Sequence, residues 1–183
     1  MNRVKEGFAV WLTGLPASGK TTIALALEKA LRKKGLNVEV LDGDEVRKNL
    51  SPDLGFTRED REIHAKRVAY VTKLLVRNGV AVIVGLISPF RNFREDARNQ
   101  IGNFVEVWVK CPLEECIRRD PKGLYKKAIN GEINDLTGIQ DTYEEPLNPE
   151  VIVDTSKETV EESVKKILEK LKNMKHIPKT RTN

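Results

Sequence analysis

Short apolar runs alternate with amphipathic segments along the chain. The runs are nearly continuous, as in VAVIVGLIS, rather than alternating with polar residues. Such runs are typical of parallel strands that helices cover on both faces. The pattern predicts five strands, within residues 8–14, 37–44, 80–88, 104–110 and 150–156. Because helical segments separate the strands, we expect an α/β fold: a doubly wound, mostly parallel five-stranded sheet with helices on both faces.

Four segments have the apolar spacing of helices. One of them follows Thr57, a predicted N-cap with Asp60 three residues later, and stops at Gly79. Another follows Pro112, a residue that is common in the first turn of a helix. The predicted helices span residues 19–34, 58–78, 112–120 and 157–174.

The pattern lapses between Pro121 and Pro149, where glycine and charged residues dominate. Irregular stretches of this length inside a compact domain are usually functional. We therefore predict a lid at about residues 121–149 within a single domain of residues 1–174, and a disordered basic tail at residues 175–183.

The composition narrows the class of partner. The net charge is +5, but the basic residues are interleaved with acidic ones, which favours small anionic substrates over nucleic acid. We find neither a run of about 20 apolar residues nor a signal peptide, so we expect a cytoplasmic protein without a membrane partner. Cys111 and Cys116 have no nearby histidine and are interpreted as buried thiols rather than metal ligands.

The segment GLPASGKTT fits the P-loop pattern GxxxxGK(S/T), and it follows a predicted strand and opens a predicted helix. Backbone N–H groups and the helix N-terminus form a nest for phosphate oxygens in such a loop. Lys20 is expected to act on the β- and γ-phosphates, and Thr21 to offer its hydroxyl to Mg²⁺. The residues predicted to bind ATP are Gly14, Leu15, Pro16, Ala17, Ser18, Gly19, Lys20, Thr21 and Thr22.

Polar residues follow two other predicted strands, at the sheet edge where ligands bind in open α/β folds. Asp42 and Asp44 end the second strand, and Arg47 lies one turn later. A carboxylate there could act on an acceptor hydroxyl or a metal shell and the arginine on an anionic acceptor, although helix capping and surface ion pairing are alternatives. Ser88 ends the third strand and is a candidate for lining the acceptor site, for becoming phosphorylated itself, or for a simple turn.

The predicted lid contains a cationic stretch, DPKGLYKKA, with Lys122 near its start. A closing lid that excludes water and brings cations to the transferred phosphoryl group suits a kinase, although a solvated run of charges is the alternative.

With these segments in view, the sequence resembles the adenylylsulfate kinases, which are P-loop kinases. The resemblance runs through GLPASGKTT, DGDEVRKNLSPDLGF, REDRE, LISPFR and RDPKGLYKKAINGEINDLTGI, in the family's order. It implies transfer of the γ-phosphate of ATP, with Mg²⁺, to the 3′-hydroxyl of adenosine 5′-phosphosulfate. It also suggests a homodimer. Because 183 residues leave no room for a fused sulfurylase, we expect a separate ATP sulfurylase to supply the substrate.

Carried over by position, the resemblance assigns roles on the acceptor side. Asp44 would orient or deprotonate the 3′-hydroxyl, Phe56 would stack on the substrate adenine, and Arg47 and Arg61 would reach the phosphosulfate. The remaining lining residues would be Ile87, Ser88 and Lys122, and in some members the serine that matches Ser88 has been treated as a phosphoserine intermediate. For the ATP adenine we expect Arg119 and Thr155.

The chain departs from the family pattern at three positions. His64 replaces a usual asparagine and Lys66 a usual arginine, and Leu136 stands where a second aromatic ring commonly covers the substrate adenine. We expect Leu136 to cover the base by dispersion without stacking, and His64 to add a pH-dependent contribution to substrate binding near its ordinary pKa of about 6.5.

Two other functions remain open from the residues alone. A different small-molecule or nucleotide kinase would also need a P-loop and an arginine for its acceptor. A nucleotide-dependent switch that works by loop ordering is the second alternative, although the chain lacks the NKxD pattern of GTPases.

Overall fold

The computed structural model describes residues 6–178 and contains the predicted parallel sheet. Its five strands lie in the order β2-β3-β1-β4-β5, and every neighbouring pair is parallel. The strands are β1 (Phe8–Thr13), β2 (Val38–Asp42), β3 (Ala81–Gly85), β4 (Phe104–Lys110) and β5 (Val151–Asp154). Each lies within a run that the sequence pattern predicted, so the expected α/β class is confirmed.

The helices lie on both faces of this sheet. They are α1 (Lys20–Arg32), α2 (Gly43–Leu50), α3 (Arg58–Arg77), α4 (Arg91–Ile101), α5 (Leu113–Arg119), α6 (Leu124–Ile129) and α7 (Val160–Asn173). Residues 6–178 include no helix that is both long and apolar enough to cross a membrane.

Successive residues of the central strand β1 point into two separate cores, as the pleat requires. Val10 packs with Leu27 of α1 and Ile167 of α7 on one face. Trp11 packs with Val68 of α3 on the other. Because all neighbouring strands are parallel, their carboxyl ends lie at the same edge of the sheet. The loops that carry the candidate chemistry begin there.

Helix caps set the start of two helices. The side chain of Thr57 accepts a hydrogen bond from the backbone N–H of Asp60, and the Asp60 carboxylate accepts one from the backbone N–H of Thr57. This capping box confirms the predicted start of α3. The same arrangement of Thr159 and Glu162 begins α7.

Part of the predicted lid is ordered against the domain. It contains α6, and Tyr125 and Leu136 are buried there with Cys111 and Cys116 in a small core of their own. The two cysteines are free and buried, as expected. Burial raises the pKa of the Cys116 thiol to about 12, which leaves it protonated at neutral pH.

The predicted disorder of residues 175–183 is wrong at its beginning. Ile177 is buried in the same core as Leu171, and the ring of His176 stacks on Phe8 with centroids 5.1 Å apart. Residues 175–178 therefore pack on the domain because two apolar contacts hold them. Residues 179–183 lie outside the described part of the chain.

Candidate active site

A cleft of about 800 Å³ opens at the carboxyl ends of β1, β2 and β3. The P-loop forms one side, and α2, α3 and the end of β3 form the other. Lys122 and Leu124, at the start of the predicted lid, also line it. This volume is in the range of small-molecule sites.

The P-loop is held in shape by contacts from outside it. A Cβ atom on Gly14 would lie 2.4 Å from the carbonyl oxygen of Val109, so only glycine fits there. The hydroxyl of Tyr125 donates to the Pro16 carbonyl (2.9 Å), and the hydroxyl of Thr155 donates to the Ser18 carbonyl (2.7 Å). These contacts fix the shape of the loop from outside it.

Lys20 lies at the floor of the loop. Its Nζ donates to the carbonyl oxygens of Gly14 (2.9 Å) and Leu15 (2.7 Å). Burial lowers the pKa of Lys20 to about 8. Most of the ammonium charge is still present at neutral pH, where a phosphate oxygen could replace these carbonyl partners.

Thr21 and Asp42 form an oxygen pair at the mouth of the loop. The Thr21 hydroxyl donates to Asp42 Oδ2 (2.8 Å), while Asp42 Oδ1 accepts from the backbone N–H of Asp44 (3.1 Å) and so caps α2. Hydroxyl and carboxylate oxygens suit Mg²⁺. Of the two aspartates at the end of the second predicted strand, Asp42 is the one whose carboxylate contacts Thr21.

Within residues 6–178, no cluster of three or more His, Cys, Asp or Glu side chains could hold a metal ion. A bound Mg²⁺ would therefore need further oxygen ligands from the nucleotide and from water, as is usual for this ion.

Asp44 connects α2 to the start of the predicted lid. Its exposed carboxylate forms an ion pair with the ammonium group of Lys122. The structure thus brings together two residues that lie 78 positions apart in the sequence.

Phe56 is an exposed aromatic residue at the cleft. Its side chain is 60% exposed, and the guanidinium carbon of Arg47 lies 4.9 Å from the ring centroid. Arg47 is held by donating Nη1 to the Gly55 carbonyl (3.0 Å). Both residues line the cleft, so the expected aromatic and cationic groups meet there.

The guanidinium of Arg61 is held by several protein groups. It is buried, and it donates to the carbonyl oxygen of Phe56 (2.8 Å) and the hydroxyl of Thr137 (2.7 Å). It also donates to the Asp135 carbonyl and pairs with Asp141 at 3.4 Å. Arg61 thus ties α3 to the lid segment while it lines the cleft.

The expected titration of His64 near pH 6.5 is wrong. Its Nδ1 lies 2.9 Å from the Ser51 hydroxyl, and burial, with the charges of Arg47 and Arg67, lowers its pKa to about 4. The imidazole is therefore neutral at physiological pH.

Ile87 and Ser88 form the wall of the cleft after β3. The Thr13 hydroxyl donates to the Ile87 carbonyl (2.6 Å), and Trp11 Nε1 donates to Ser88 Oγ (3.0 Å). Sequence analysis missed Trp11 and Thr13 because both look like ordinary members of a buried strand.

The expectation that Leu136 covers a base is not met here. Its side chain is buried in the small core beneath the lid, and it does not line the cleft.

The two residues expected at the ATP adenine, Arg119 and Thr155, contact each other. Arg119 donates to the hydroxyl (3.1 Å) and carbonyl (2.7 Å) oxygens of Thr155, and Arg119 lines the cleft.

Comparisons with known proteins agree on one family. The adenylylsulphate kinase family model matches residues 6–154. A probable adenylyl-sulfate kinase from Pyrococcus abyssi is 55% identical over 173 residues, which are 94% of this chain and 99% of that protein. The structure of the APS kinase CysC of Mycobacterium tuberculosis in complex with AMPPNP and APS is similar, with a TM-score of 0.89 and 40% identity, over 91% of this chain and 98% of that one.

A larger relative shares the same fold. The hexameric APS kinase from Thiobacillus denitrificans has a TM-score of 0.72 and 31% identity, over 96% of this chain and 30% of that one.

Proposed function

Because the chain belongs to the adenylylsulphate kinase family, we propose that its cleft holds ATP on the P-loop side and adenosine 5′-phosphosulfate on the α2–α3 side. The reaction is ATP-dependent phosphorylation of the 3′-hydroxyl of that nucleotide, giving 3′-phosphoadenosine 5′-phosphosulfate and ADP. The observation that carries this assignment is one continuous cleft that joins the P-loop to Phe56, Arg47 and Arg61.

On the donor side, Lys20 leaves its carbonyl partners and neutralises charge that develops on the transferred phosphoryl group. Thr21 and Asp42 are the residues that would hold Mg²⁺, which would supply further charge neutralisation to the transferred phosphoryl group. The loop residues from Gly14 to Thr22 cradle the phosphates with their N–H groups. Arg119 lies against the ATP adenine, and Thr155 supports it.

On the acceptor side, Phe56 stacks on the adenine and Arg47 and Arg61 attract the phosphosulfate. Asp44 orients the 3′-hydroxyl and accepts its proton, which requires Lys122 to move from its ion pair toward the phosphates. His64 and Ile87 line the same site. Ser88 lines it too, and its Oγ accepts from Trp11. Direct in-line transfer to the 3′-hydroxyl needs no phosphoserine intermediate.

Residues 121–149 serve as the lid of a single domain that spans residues 1–174. The contact of Lys122 with Asp44 supports this role, because it joins the lid to the acceptor side directly. Closure would exclude water from the phosphoryl group and favour the nucleotide acceptor over hydrolysis.

We further propose a cytoplasmic homodimer whose acceptor substrate comes from a separate ATP sulfurylase. A relative that assembles as a hexamer supports self-association. Two free, buried cysteines suit a reducing compartment. Sedimentation of the purified chain measures the assembly, and turnover from ATP and sulfate is expected only after a sulfurylase is added.

The test of the reaction is ADP release from ATP and Mg²⁺ with and without adenosine 5′-phosphosulfate, with the product followed by mass. We expect ADP only with the phosphosulfate, and a product heavier by one phosphate. Gluconate and shikimate serve as control acceptors, and the Lys20→Ala variant controls for contaminating ATPase.

Turnover with a control acceptor in place of the phosphosulfate would indicate a different small-molecule kinase. ADP release that is slow and independent of any acceptor would favour a nucleotide-dependent switch. Either result contradicts the proposed function.

A further inference from the structure

The backbone at Ser88 has an unfavourable conformation at the wall of the acceptor site. Its φ is 45°, in the left-handed region that residues other than glycine rarely adopt. Such a conformation persists only where the surrounding structure enforces it.

Arg94 of α4 contacts this backbone from outside the cleft. It is 3% exposed, and its Nη1 donates to the Ser88 carbonyl at 2.5 Å. Its Nε donates to Glu106 Oε1 on β4 (2.7 Å), and its Nη2 donates to the Glu144 carbonyl (2.7 Å). Arg94 does not line the cleft, so it can act on a substrate only through Ser88 and its neighbours.

A partly buried ionic network fixes the guanidinium in place. Glu106 also accepts from Arg98 (3.3 Å), and Arg98 makes two hydrogen bonds to Glu150 (2.8 and 2.9 Å). The Glu150 carboxylate in turn accepts from the backbone N–H of Glu106 (2.6 Å). Removing charges from water is costly, so such a network fixes geometry more clearly than it adds stability.

The same guanidinium reaches the end of the predicted lid. Besides the contact from Arg94, the backbone N–H of Glu144 donates to the Pro89 carbonyl (2.8 Å). The Tyr143 hydroxyl lies 3.0 Å from the Thr13 hydroxyl, which holds the Ile87 carbonyl. The backbone of the acceptor wall and the carboxyl-terminal end of the lid are therefore joined on both sides of Ser88.

We propose that Arg94 is a positioning residue for the acceptor: it holds Ser88 in the left-handed conformation and fixes the acceptor wall to the end of the lid segment. The inference rests on the proposed function, since it concerns binding of the same phosphosulfate nucleotide. Loss of Arg94 should let the backbone at Ser88 relax, which misplaces Ile87 and Ser88 while leaving the P-loop unchanged.

The test compares Arg94→Met and Arg94→Lys with Arg98→Met in steady-state kinetics. Arg98 is the matched control because it belongs to the same ionic network but does not contact Ser88. We expect Arg94→Met to raise KM for adenosine 5′-phosphosulfate roughly tenfold or more, with KM for ATP nearly unchanged, since one lost buried contact is enough for a tenfold change. Arg98→Met should lower stability without this selective effect.

Arg94→Lys keeps a positive charge beside Glu106, so it still tests the proposal if Arg94→Met does not fold. Its lysine cannot serve three acceptors in the planar geometry of a guanidinium, so a smaller rise in the same KM is expected. The effect of Arg94→Lys should shrink further in the Ser88→Gly background, because glycine adopts positive φ without strain.

Three outcomes would overturn the proposal. They are an unchanged KM for the phosphosulfate in both Arg94 variants, an equal rise in both KM values, and an undiminished Arg94→Lys effect in the Ser88→Gly background. Failure of the proposed function is distinguished by the unsubstituted chain, which would then show no phosphosulfate-dependent turnover at all.

Discussion

Burial lowers the pKa values of Lys20 and His64 in the cleft, and the two shifts have different consequences. Lys20 loses hydration at the floor of the P-loop, where it has only neutral oxygen partners. A bound triphosphate would surround its ammonium with anionic oxygens and raise its pKa again. Nucleotide binding should therefore be linked to proton uptake by Lys20.

Affinity for ATP should weaken as the pH rises above about 8, because the free chain then loses the Lys20 proton that the complex retains. Calorimetric titration of ATP at several pH values measures this, together with the protons taken up. The Lys20→Arg variant is the control, since arginine stays charged throughout. A wild-type profile that matches the Lys20→Arg profile would contradict the linkage.

His64 should affect stability rather than the pH dependence of catalysis near neutrality. Its pKa is about 4 in the folded chain against an ordinary value of 6.5, so the unfolded chain binds more protons between these values. Its neutral form therefore favours folding above pH 6.5, and that contribution is lost progressively as the pH falls through 6.5 toward 4.

Replacement of His64 by asparagine should remove this pH dependence. Between pH 7 and 5, the wild type should lose roughly 2 kcal/mol more unfolding free energy than His64→Asn does. Urea denaturation at the two pH values measures the difference. Parallel losses in the two proteins would show that the histidine is not held neutral by the fold.

At the scale of the element, two helices begin with the same capping box in different surroundings. Thr57 precedes α3 and follows Phe56, whereas Thr159 precedes α7 on the face that α1 shares. Neither threonine lines the cleft. The pair therefore separates the stability that a cap provides from its effect on the site.

Thr57→Ala and Thr159→Ala should each cost about 1 kcal/mol of unfolding free energy, since each removes an N-cap side chain. Only Thr57→Ala should also raise KM for adenosine 5′-phosphosulfate, because fraying of the first turn of α3 moves Phe56 and Arg61. Denaturant titration and steady-state kinetics of both variants give the comparison. A similar rise in KM for Thr159→Ala would mean that lost stability alone explains the effect.

The sequence was informative wherever one local pattern decided the structure. Continuous apolar runs and the P-loop pattern predicted the sheet and the donor side, because each depends on neighbouring residues. The helix α4 was missed since RNFREDARNQI is strongly charged, and its place depends on the packing of Phe93, Ala97 and Ile101 against residues that are distant in the sequence. Burial of Leu136 could not be predicted because it depends on contacts with distant Cys111 and Cys116.

At the scale of the whole molecule, charge is concentrated in the cleft. Six cationic and three anionic side chains line it, a net charge of +3, while the whole chain carries +5. The cations are Lys20, Arg47, Lys48, Arg61, Arg119 and Lys122, and the anions are Asp42, Asp44 and Asp120. A cleft of one predominant sign attracts oppositely charged substrates.

The positive charge of the cleft predicts that kcat/KM for adenosine 5′-phosphosulfate falls several-fold between roughly 0.02 and 0.5 M salt. At 0.1 M salt, ions already screen the attraction between cleft and substrate beyond about 10 Å. Lys48 and Lys165 are both exposed, and replacing either by methionine lowers the net charge equally, but only Lys48 lines the cleft. Lys48→Met should lower kcat/KM at low salt and flatten its salt dependence, whereas Lys165→Met should match the wild type. Equal effects of the two variants would assign the attraction to net charge, and the cleft would then have no steering role of its own.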